Sequence, residues 1–432
     1  IKRAVENIET VPDKERLYIR AQSIKDFSSR IPLYEEIIKK YPNEKQAYFE
    51  IGDMKFHSGP AIESIPYFEK SLELDPSYEN AIGHLGWMYL DNGYYEKYID
   101  LYKRALKIYP DKNSYKTKEL YSYLYSGKFQ TFYDRVREIE EKDIQYINID
   151  LAFGDGYLLS GNFAESKNRY LKLIQNEDTK LAGYYRLRDL STYRGDYKNF
   201  NYYSDKILTY NISKNNYKNY LSELARRAFT LIQVFDDYDK AEQIIYEIDG
   251  IFNDETRNIQ FSDLNLIASI YLIESLKELE KWGIAKKYDD QTFRNMEISL
   301  NADEGLRLKQ NGNIHESINY YKKAVELSGG FFLYKLNYDI SKLYFESGDY
   351  KNVIKYSDRT KKMTHQTYPK TRQFFYAKYF LYSGLAHFKL RNYRLAKSNL
   401  DIFLKIYEPA SESLKYKKMA REAISEIRRL QS

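Results

Sequence analysis

Apolar and polar residues follow one another along this 432-residue chain with the spacing of helices. In 81–92 and again in 95–109, apolar residues recur every three or four positions, and polar residues fill the positions between them. That spacing predicts one amphipathic helix in each segment, with a turn between the two. Similar pairs of segments follow one another along most of the chain, so we predict an all-α protein.

Glycine recurs at a fixed interval between the paired helices. Five glycines lie at successive intervals of 34 residues, and they are Gly59, Gly93, Gly127, Gly161 and Gly195. An interval of this length is typical of solenoids built from helical hairpins. Glycine suits the residue after a first helix, because the backbone there takes a left-handed conformation that side chains disfavour. Prolines predict where three of the second helices stop, at Pro42, Pro76 and Pro110.

The most regular repeat begins at residue 79. Counted from there, positions 7, 8, 11, 17, 24, 27 and 32 hold Leu85, Gly86, Tyr89, Tyr95, Tyr102, Ala105 and Pro110. This pattern resembles the tetratricopeptide repeat. The resemblance implies an all-α, tetratricopeptide-like α-solenoid, which is a right-handed superhelix of about ten or eleven helix-turn-helix repeats.

The register of the repeats divides the chain into four parts. It holds over 1–214, slips over 215–297, and returns over 298–410, while 411–432 have the pattern of a capping helix. We therefore predict an N-terminal array, an irregular middle that acts as a hinge, a C-terminal array and a cap. Because each repeat of a solenoid is stabilised by its neighbours, the middle is predicted to open most easily.

Three short runs near the start suggest a narrower likeness. Residues 12–21, 56–62 and 71–76 are similar to the repeat regions attached to bacterial Ser/Thr kinases and to membrane-bound winged-helix regulators. The likeness implies the sensor or adaptor part of a bacterial signalling protein. The chain begins with Ile1, so we expect a processed piece of a longer protein, either cytoplasmic or the extracytoplasmic part of a membrane-linked protein. No apolar run approaches the roughly 18 residues of a membrane-spanning helix.

The composition is rich in aromatic residues and argues against several kinds of functional site. The chain has 47 Tyr, 22 Phe and no Cys, which excludes thiolate sites. Its five histidines fall in different repeats without a metal-binding pair of residues, and no phosphate-binding loop or nucleophile motif occurs. We therefore expect no metal, no cofactor and no catalysis. The net charge of +6 is small for this length and argues against nucleic acid as an obligatory ligand.

The resemblance also indicates which residues would meet a partner. In this family, set positions of each first helix line the inner surface, and here those positions carry aromatic rings and scattered charges. The predicted partner-binding residues are Phe49, Asp53, Phe56, Trp87, Tyr121, Asp155, Tyr185, Tyr338, Lys342 and Phe345. Such rings anchor an extended peptide or a partner helix, or else they contact the next repeat. We place the main site at Phe49, Phe56, Trp87 and Tyr121.

Basic residues gather late in the chain. Residues 351–372 hold seven basic residues against one acid, which predicts an anion-attracting patch or, alternatively, charges that offset a solvated helix end. The patch residues are Lys355, Arg359, Lys361, Lys362, Lys370 and Arg372.

The sequence as a whole predicts a non-catalytic scaffold that binds a protein or peptide on its inner face. An RNA-binding solenoid is the alternative, because rings interleaved with lysines can stack bases. The inner positions also include three acidic residues, Asp53, Asp155 and Asp189, which argue against RNA.

Overall fold

The computed structural model describes residues 8–26, 28–58, 61–254, 256, 259–289, 297–327, 330–362 and 369–431. Every regular element within these ranges is a helix, which confirms the prediction of an all-α fold. The chain divides into two compact units. Unit 1 comprises Ile1–Arg135 with Leu327–Gly330, and unit 2 comprises Val136–Glu326 and Phe331–Ser432.

Unit 1 consists of helices that pack in chain order, each against the next. They are α1 (Asp13–Ser23), α2 (Ile31–Lys40), α3 (Lys45–Ser58), α4 (Ile65–Leu74), α5 (Glu79–Asp91), α6 (Tyr95–Ile108), α7 (Asn113–Tyr125) and the first half of α8 (Phe129–Glu141). The predicted pairing is clear in α5 and α6, where Leu85 and Tyr89 on one helix and Tyr102 and Ala105 on the other are buried.

Unit 2 continues the pattern with helices of 8 to 21 residues. They are α9 (Ile149–Leu159), α10 (Phe163–Leu173), α11 (Glu177–Tyr193), α12 (Tyr197–Ser213), α13 (Tyr217–Thr230), α14 (Tyr238–Phe252), α15 (Leu266–Glu278), α16 (Trp282–Asp289), α17 (Glu297–Gln310), α18 (Ile314–Leu327), α19 (Gly330–Glu346), α20 (Tyr350–Lys362), α21 (Pro369–Lys389), α22 (Tyr393–Ile406) and α23 (Lys415–Gln431). A π-helical turn, Leu231–Phe235, extends α13.

The turns within the helix pairs explain both the glycine interval and its loss. Gly93, Gly127, Gly161 and Gly195 have φ between 65° and 83°, which confirms the predicted left-handed conformation, and Gly59 lies outside the described residues. Three later turns take the same conformation without glycine, at Asp236, Glu280 and Arg391. The pairing of helices therefore continues where the sequence register slips, because other residue types occupy the left-handed position.

A small residue between paired helices allows close contact, as the pattern predicts. A Cβ added at Gly52 would lie 2.8 Å from the Phe68 ring, and one added at Gly86 would overlap the Tyr102 hydroxyl. These two glycines bring α3 against α4 and α5 against α6. A side chain at either position would force the paired helices apart.

Unit 2 contains contacts between residues far apart in sequence. Helix α11 packs against α21, and the ring of Tyr193 stacks on that of Tyr376 at 5.7 Å between centroids. Arg194 donates to the carbonyl oxygen of Ile406 at 3.3 Å and forms an ion pair with Glu408 at 2.9 Å. One buried cluster runs from α9 through α12 to α21, α22 and α23. Unit 2 is therefore stabilised by contacts between helices far apart in sequence as well as between neighbours.

The predicted division of the chain differs from this partition into units. The two units separate at residue 135, whereas the sequence register changes at 214 and at 297. Helices α13 to α16 share one apolar core with α17 to α21. The easy opening of 215–297 stays a prediction.

Within 411–432, α23 buries Ala420, Ile424 and Ile427 against the neighbouring helices. In the part of the chain that is described, no helix has the length and apolar character to cross a membrane.

Candidate functional site

The first helices α3 and α5 of unit 1 bring polar and aromatic side chains together. Asp53 Oδ1 lies 3.2 Å from His84 Nε2 and 3.4 Å from His57 Nε2. The His84 ring centroid lies within 5.4 Å of those of three phenylalanines, which are Phe49, Phe56 and Phe68. We call the exposed side of these two helices the first-helix face of unit 1, defined by Asp53, Phe56, His57, His84 and Trp87.

Trp87 is the most exposed of the predicted partner-binding rings. Its side chain lies one turn after His84 on α5 and is 61% exposed. The indole Nε1 donates a hydrogen bond to Asp91 Oδ2 at 3.0 Å. Burial raises the pKa of Asp91 to about 6, and the hydrogen bond from Trp87 opposes that rise. The edge of the indole is thus held in place while much of its surface meets solvent, as expected of a binding anchor.

The other predicted residues of unit 1 are less exposed. Phe56 and Tyr121 are half-buried, and the Tyr121 ring lies 5.9 Å from that of Phe132. Phe49 is buried, and its ring packs 5.7 Å from Phe68 and 5.3 Å from Tyr78. The prediction that Phe49 presents its ring to a partner is therefore wrong for this structure, because that ring belongs to the core between α3, α4 and α5.

Family comparison identifies the repeats that carry this face. The model of the tetratricopeptide repeat family matches residues 45–78, 80–112 and 305–330. Three segments of the chain thus match the tetratricopeptide repeat. The first two matched repeats are the pairs α3–α4 and α5–α6, so the first-helix face of unit 1 lies on the first helices of two consecutive tetratricopeptide repeats.

Two solved structures give further similarities to this chain. The TPR domain of P58(IPK) is 12% identical, covers 97% of this chain and 98% of that one, and has a TM-score of 0.24. The APC/C hetero-tetramer Cut9–Hcn1 is 12% identical, covers 96% of this chain and 76% of that one, and has a TM-score of 0.37. Scores this low carry no information on how the repeats are arranged here. No protein with a curated description matches the sequence.

In unit 2 the corresponding first-helix positions hold buried ionic groups. Asp155 on α9 is 1% exposed, accepts a hydrogen bond from the Tyr170 hydroxyl at 2.7 Å, and forms an ion pair with Arg186 at 2.9 Å. The prediction that Asp155 faces a partner is wrong for this structure. Its carboxylate binds Tyr170 and Arg186 within the unit, because a buried charge is stable only with such partners.

A second buried network lies beside it between α11 and α13. Asp189 Oδ1 accepts hydrogen bonds from Arg188 Nη2 and from Arg226 Nη2, each at 2.7 Å, and Arg188 also pairs with Glu223. Burial raises the pKa of Glu223. Burial acts in the same direction on Asp189, but the charges of Arg226 and Arg188 outweigh it and lower the pKa of Asp189. These groups join α11 to α13 by charge pairing in the interior.

A cavity of about 310 Å³ opens above this network. Its walls include Leu151, Tyr185, Asn219, Ser222, Asn265 and Ile267, and the buried arginines and acids form its floor. Tyr185 is half-buried, with the Arg188 guanidinium 5.1 Å from its ring centroid. Of the residues predicted for this region, Tyr185 is thus accessible from a cavity while Asp155 is covered.

Two of the three predicted residues on α19, Tyr338 and Phe345, pack against α21. Tyr338 is buried, with its ring 5.1 Å from Phe375 and 5.9 Å from Tyr382 on α21. Phe345 is half-buried, 5.6 Å from Tyr382. Lys342 is half-buried, and burial lowers the pKa of its amine. The prediction of partner contact is wrong for Tyr338, because α21 covers the ring, which is the alternative that the sequence left open.

The predicted basic patch is only partly described. Lys355 and Arg359 are exposed one turn apart on α20. Lys361 is half-buried; it pairs with Asp358 at 2.6 Å and donates to Asn399 at 3.1 Å. The side chains of Lys362, Lys370 and Arg372, and the loop at 363–368, lie outside the described residues. Of the six predicted patch residues, Lys355 and Arg359 are thus the two that are both described and exposed.

Sequence reasoning missed two groupings that the fold assembles. The spacing of Asp53 and His57, four residues apart on one helix, was visible, but His84 lies on the next repeat and meets them only when α3 and α5 pack side by side. The buried network of Arg188, Asp189 and Arg226 combines two first helices in the same way. Aligning adjacent repeats could have predicted both groupings, since each joins residues on the first helices of two adjacent repeats.

Proposed function

We propose that this chain is a non-catalytic scaffold that binds a peptide or protein segment on the first-helix face of unit 1. Tetratricopeptide repeats support a protein-interaction role, because stacked helical repeats present extended surfaces to a partner. The observation that carries the assignment to this face is the exposure of Trp87 on a repeat whose core is tightly packed. Aromatic residues that are exposed in the free protein and become buried at an interface often supply much of its binding energy.

The chemistry of the face indicates the partner. An apolar side chain fits against the free surface of the Trp87 indole, on the face that also carries the half-buried ring of Phe56. Asp53 and Asp91 place carboxylates beside these rings, so a segment that combines an apolar residue with a basic one is favoured. The same carboxylates disfavour a phosphate backbone, and no contact of the face favours the RNA alternative.

Selection of peptides on the purified chain tests this proposal. Peptides are enriched from a random displayed library, and their affinities are compared for the wild type, Trp87→Ala and Tyr246→Ala. Tyr246 is a matched control, because its ring is 59% exposed on a second helix of unit 2. We expect Trp87→Ala to cost about 2 kcal/mol, which is roughly 30-fold in affinity, and Tyr246→Ala to change little.

The outcomes separate the possibilities. Equal affinities in the three proteins, with helicity and melting unchanged, would place binding away from Trp87. If single-stranded RNA competes with the peptides and binds with a steep salt dependence, the scaffold is an RNA binder. The role as sensor or adaptor of a bacterial signalling protein rests on the sequence likeness of the first repeats and belongs to the same proposal.

The basic patch is a second, weaker element of the proposal. Lys355 and Arg359 offer two exposed charges to an acidic partner segment. Reversing both to Glu is expected to weaken binding of such a partner and to flatten its salt dependence. Unchanged binding and salt dependence would leave these charges only the role of offsetting a helix end.

A further inference from the structure

Three side chains on the first-helix face of unit 1 converge on one point. Asp53 and His57 lie one turn apart on α3, and His84 approaches them from α5. One ligand atom from each lies within 4.8 Å of the other two. Two imidazoles and a carboxylate are the donor set that binds zinc in many sites, with a fourth position left for water or another donor.

The distances fit a tetrahedral ion. Zinc binds imidazole nitrogen and carboxylate oxygen at about 2.0–2.1 Å, which places neighbouring ligand atoms about 3.3–3.4 Å apart around a tetrahedron. Asp53 Oδ1 lies 3.4 Å from His57 Nε2 and 3.2 Å from His84 Nε2. Two of the three edges therefore match with little movement, and an exposed His57 side chain can adjust the third.

The environment of His84 fixes which nitrogen faces Asp53. His84 Nδ1 lies 2.9 Å from the carbonyl oxygen of Asn80, which can only accept a hydrogen bond, so Nδ1 carries the proton. In neutral His84 the Nε2 lone pair then points at the Asp53 carboxylate. Two acceptors 3.2 Å apart repel unless a proton or a cation lies between them. A metal-binding histidine commonly has this arrangement, with its second nitrogen donating to a carbonyl.

Packing holds the site in place. The rings of Phe49, Phe56 and Phe68 surround His84 at centroid distances of 5.3–5.4 Å and fix its plane. The side chain of His57 is 54% exposed, so an ion can enter from solvent. A site that is ordered on one side and open on the other binds an ion without rearrangement of the helices.

We propose that Asp53, His57 and His84 bind one Zn²⁺ ion and leave one coordination position for water or for a donor from a partner. This departs from the sequence expectation of no metal, which treated the histidines as separate. The proposal does not depend on peptide binding at Trp87. Bound Zn²⁺ would occupy the Asp53 carboxylate and leave Asp91 as the carboxylate that meets a basic residue of the peptide.

Metal titration of the 432-residue chain without an affinity tag tests it. After treatment with a chelator, Zn²⁺ is titrated against a chromophoric competitor, and Co²⁺ is added separately for its tetrahedral absorption spectrum. We expect one equivalent of Zn²⁺ to bind, with affinity reduced by more than about tenfold in His57→Ala, His84→Ala and Asp53→Asn, since loss of even a supporting residue costs that much. His315→Ala is the control, because His315 is an exposed histidine on α18 of unit 2.

The variants give outcomes that would contradict the zinc site even if one of them fails to fold. His57 is exposed, so His57→Ala should fold normally and reports on the site even if His84→Ala disturbs the core. Binding that weakens equally in His57→Ala and His315→Ala would overturn the proposal. The triple variant Asp53→Asn, His57→Ala, His84→Ala gives the background level of Zn²⁺ binding. A wild type that binds no more Zn²⁺ than this variant would also overturn the proposal, and a proton shared between His84 and Asp53 would then explain their close contact.

Discussion

The two units differ in how far side chains at equivalent first-helix positions are exposed. In unit 1, first-helix positions leave Trp87 exposed and Asp53 within reach of solvent. In unit 2, the corresponding positions bury Asp155, Asp189 and Tyr338 among ion pairs and rings. The difference follows from packing by neighbouring helices, because Arg186 on α11 pairs with Asp155, Arg226 on α13 pairs with Asp189, and α21 covers Tyr338. A position in a repeat therefore indicates a binding residue only if no later helix covers it.

The largest expected effect concerns the buried network of unit 2. Asp189→Ala leaves Arg188 and Arg226 without their shared carboxylate in the interior, and we expect a loss of about 3–5 kcal/mol in the free energy of unfolding. Asp100→Ala in unit 1 removes a carboxylate from an exposed pair with Arg104 and should cost at most about 0.5 kcal/mol. Urea denaturation followed by circular dichroism measures both. Similar losses would show that the contrast between covered and open charges is wrong.

A pair of glycines on α5 tests how tightly unit 1 packs beneath its open face. Gly86→Ala would force a Cβ into the Tyr102 ring, and we expect a loss of about 1–3 kcal/mol. Gly83→Ala meets no atom within 4 Å and should stabilise the helix by about 1 kcal/mol. Thermal melting of the two variants gives the comparison. Equal effects would contradict the close approach of α5 and α6.

A smaller effect is expected from pH in unit 1. The hydrogen bond with Asp53 raises the pKa of His84 above its ordinary value of 6.5, burial opposes the rise, and the contact with Asn80 adds to it. A raised pKa in the folded state means that the pair stabilises unit 1 fully below pH about 6.5 and that this stabilisation is lost as pH rises through the folded pKa.

The measurement is the melting temperature against pH, in the presence of a chelator. Asp53→Asn should flatten the fall in stability above pH about 6.5, whereas His315→Ala should leave it unchanged. A slope that survives Asp53→Asn would assign the pH dependence to another group.

The helical hairpins of this fold were predictable from local features, whereas the covered surfaces of unit 2 were not. The spacing of apolar residues, the turn at Gly93 and the contact of Gly86 with Tyr102 depend on residues close in sequence, and the repeat pattern encodes them directly. The burial of Tyr338 by α21 depends on the angle between two consecutive helix pairs, and the stacking of Tyr193 on Tyr376 depends on the sum of such angles over many pairs. No single repeat carries that information, so exposure at the predicted site residues could not be read from their positions.

Hydrogen exchange with and without a selected peptide tests the central claim that unit 1 presents the open face. We predict slower exchange on binding in 45–58 and 79–91, which are α3 and α5, and no change in the first helices of unit 2 at 149–159, 177–193 and 217–230. The same protection should disappear with Trp87→Ala and persist with Tyr246→Ala. Protection confined to the helices of unit 2, with α3 and α5 unchanged, would contradict the account.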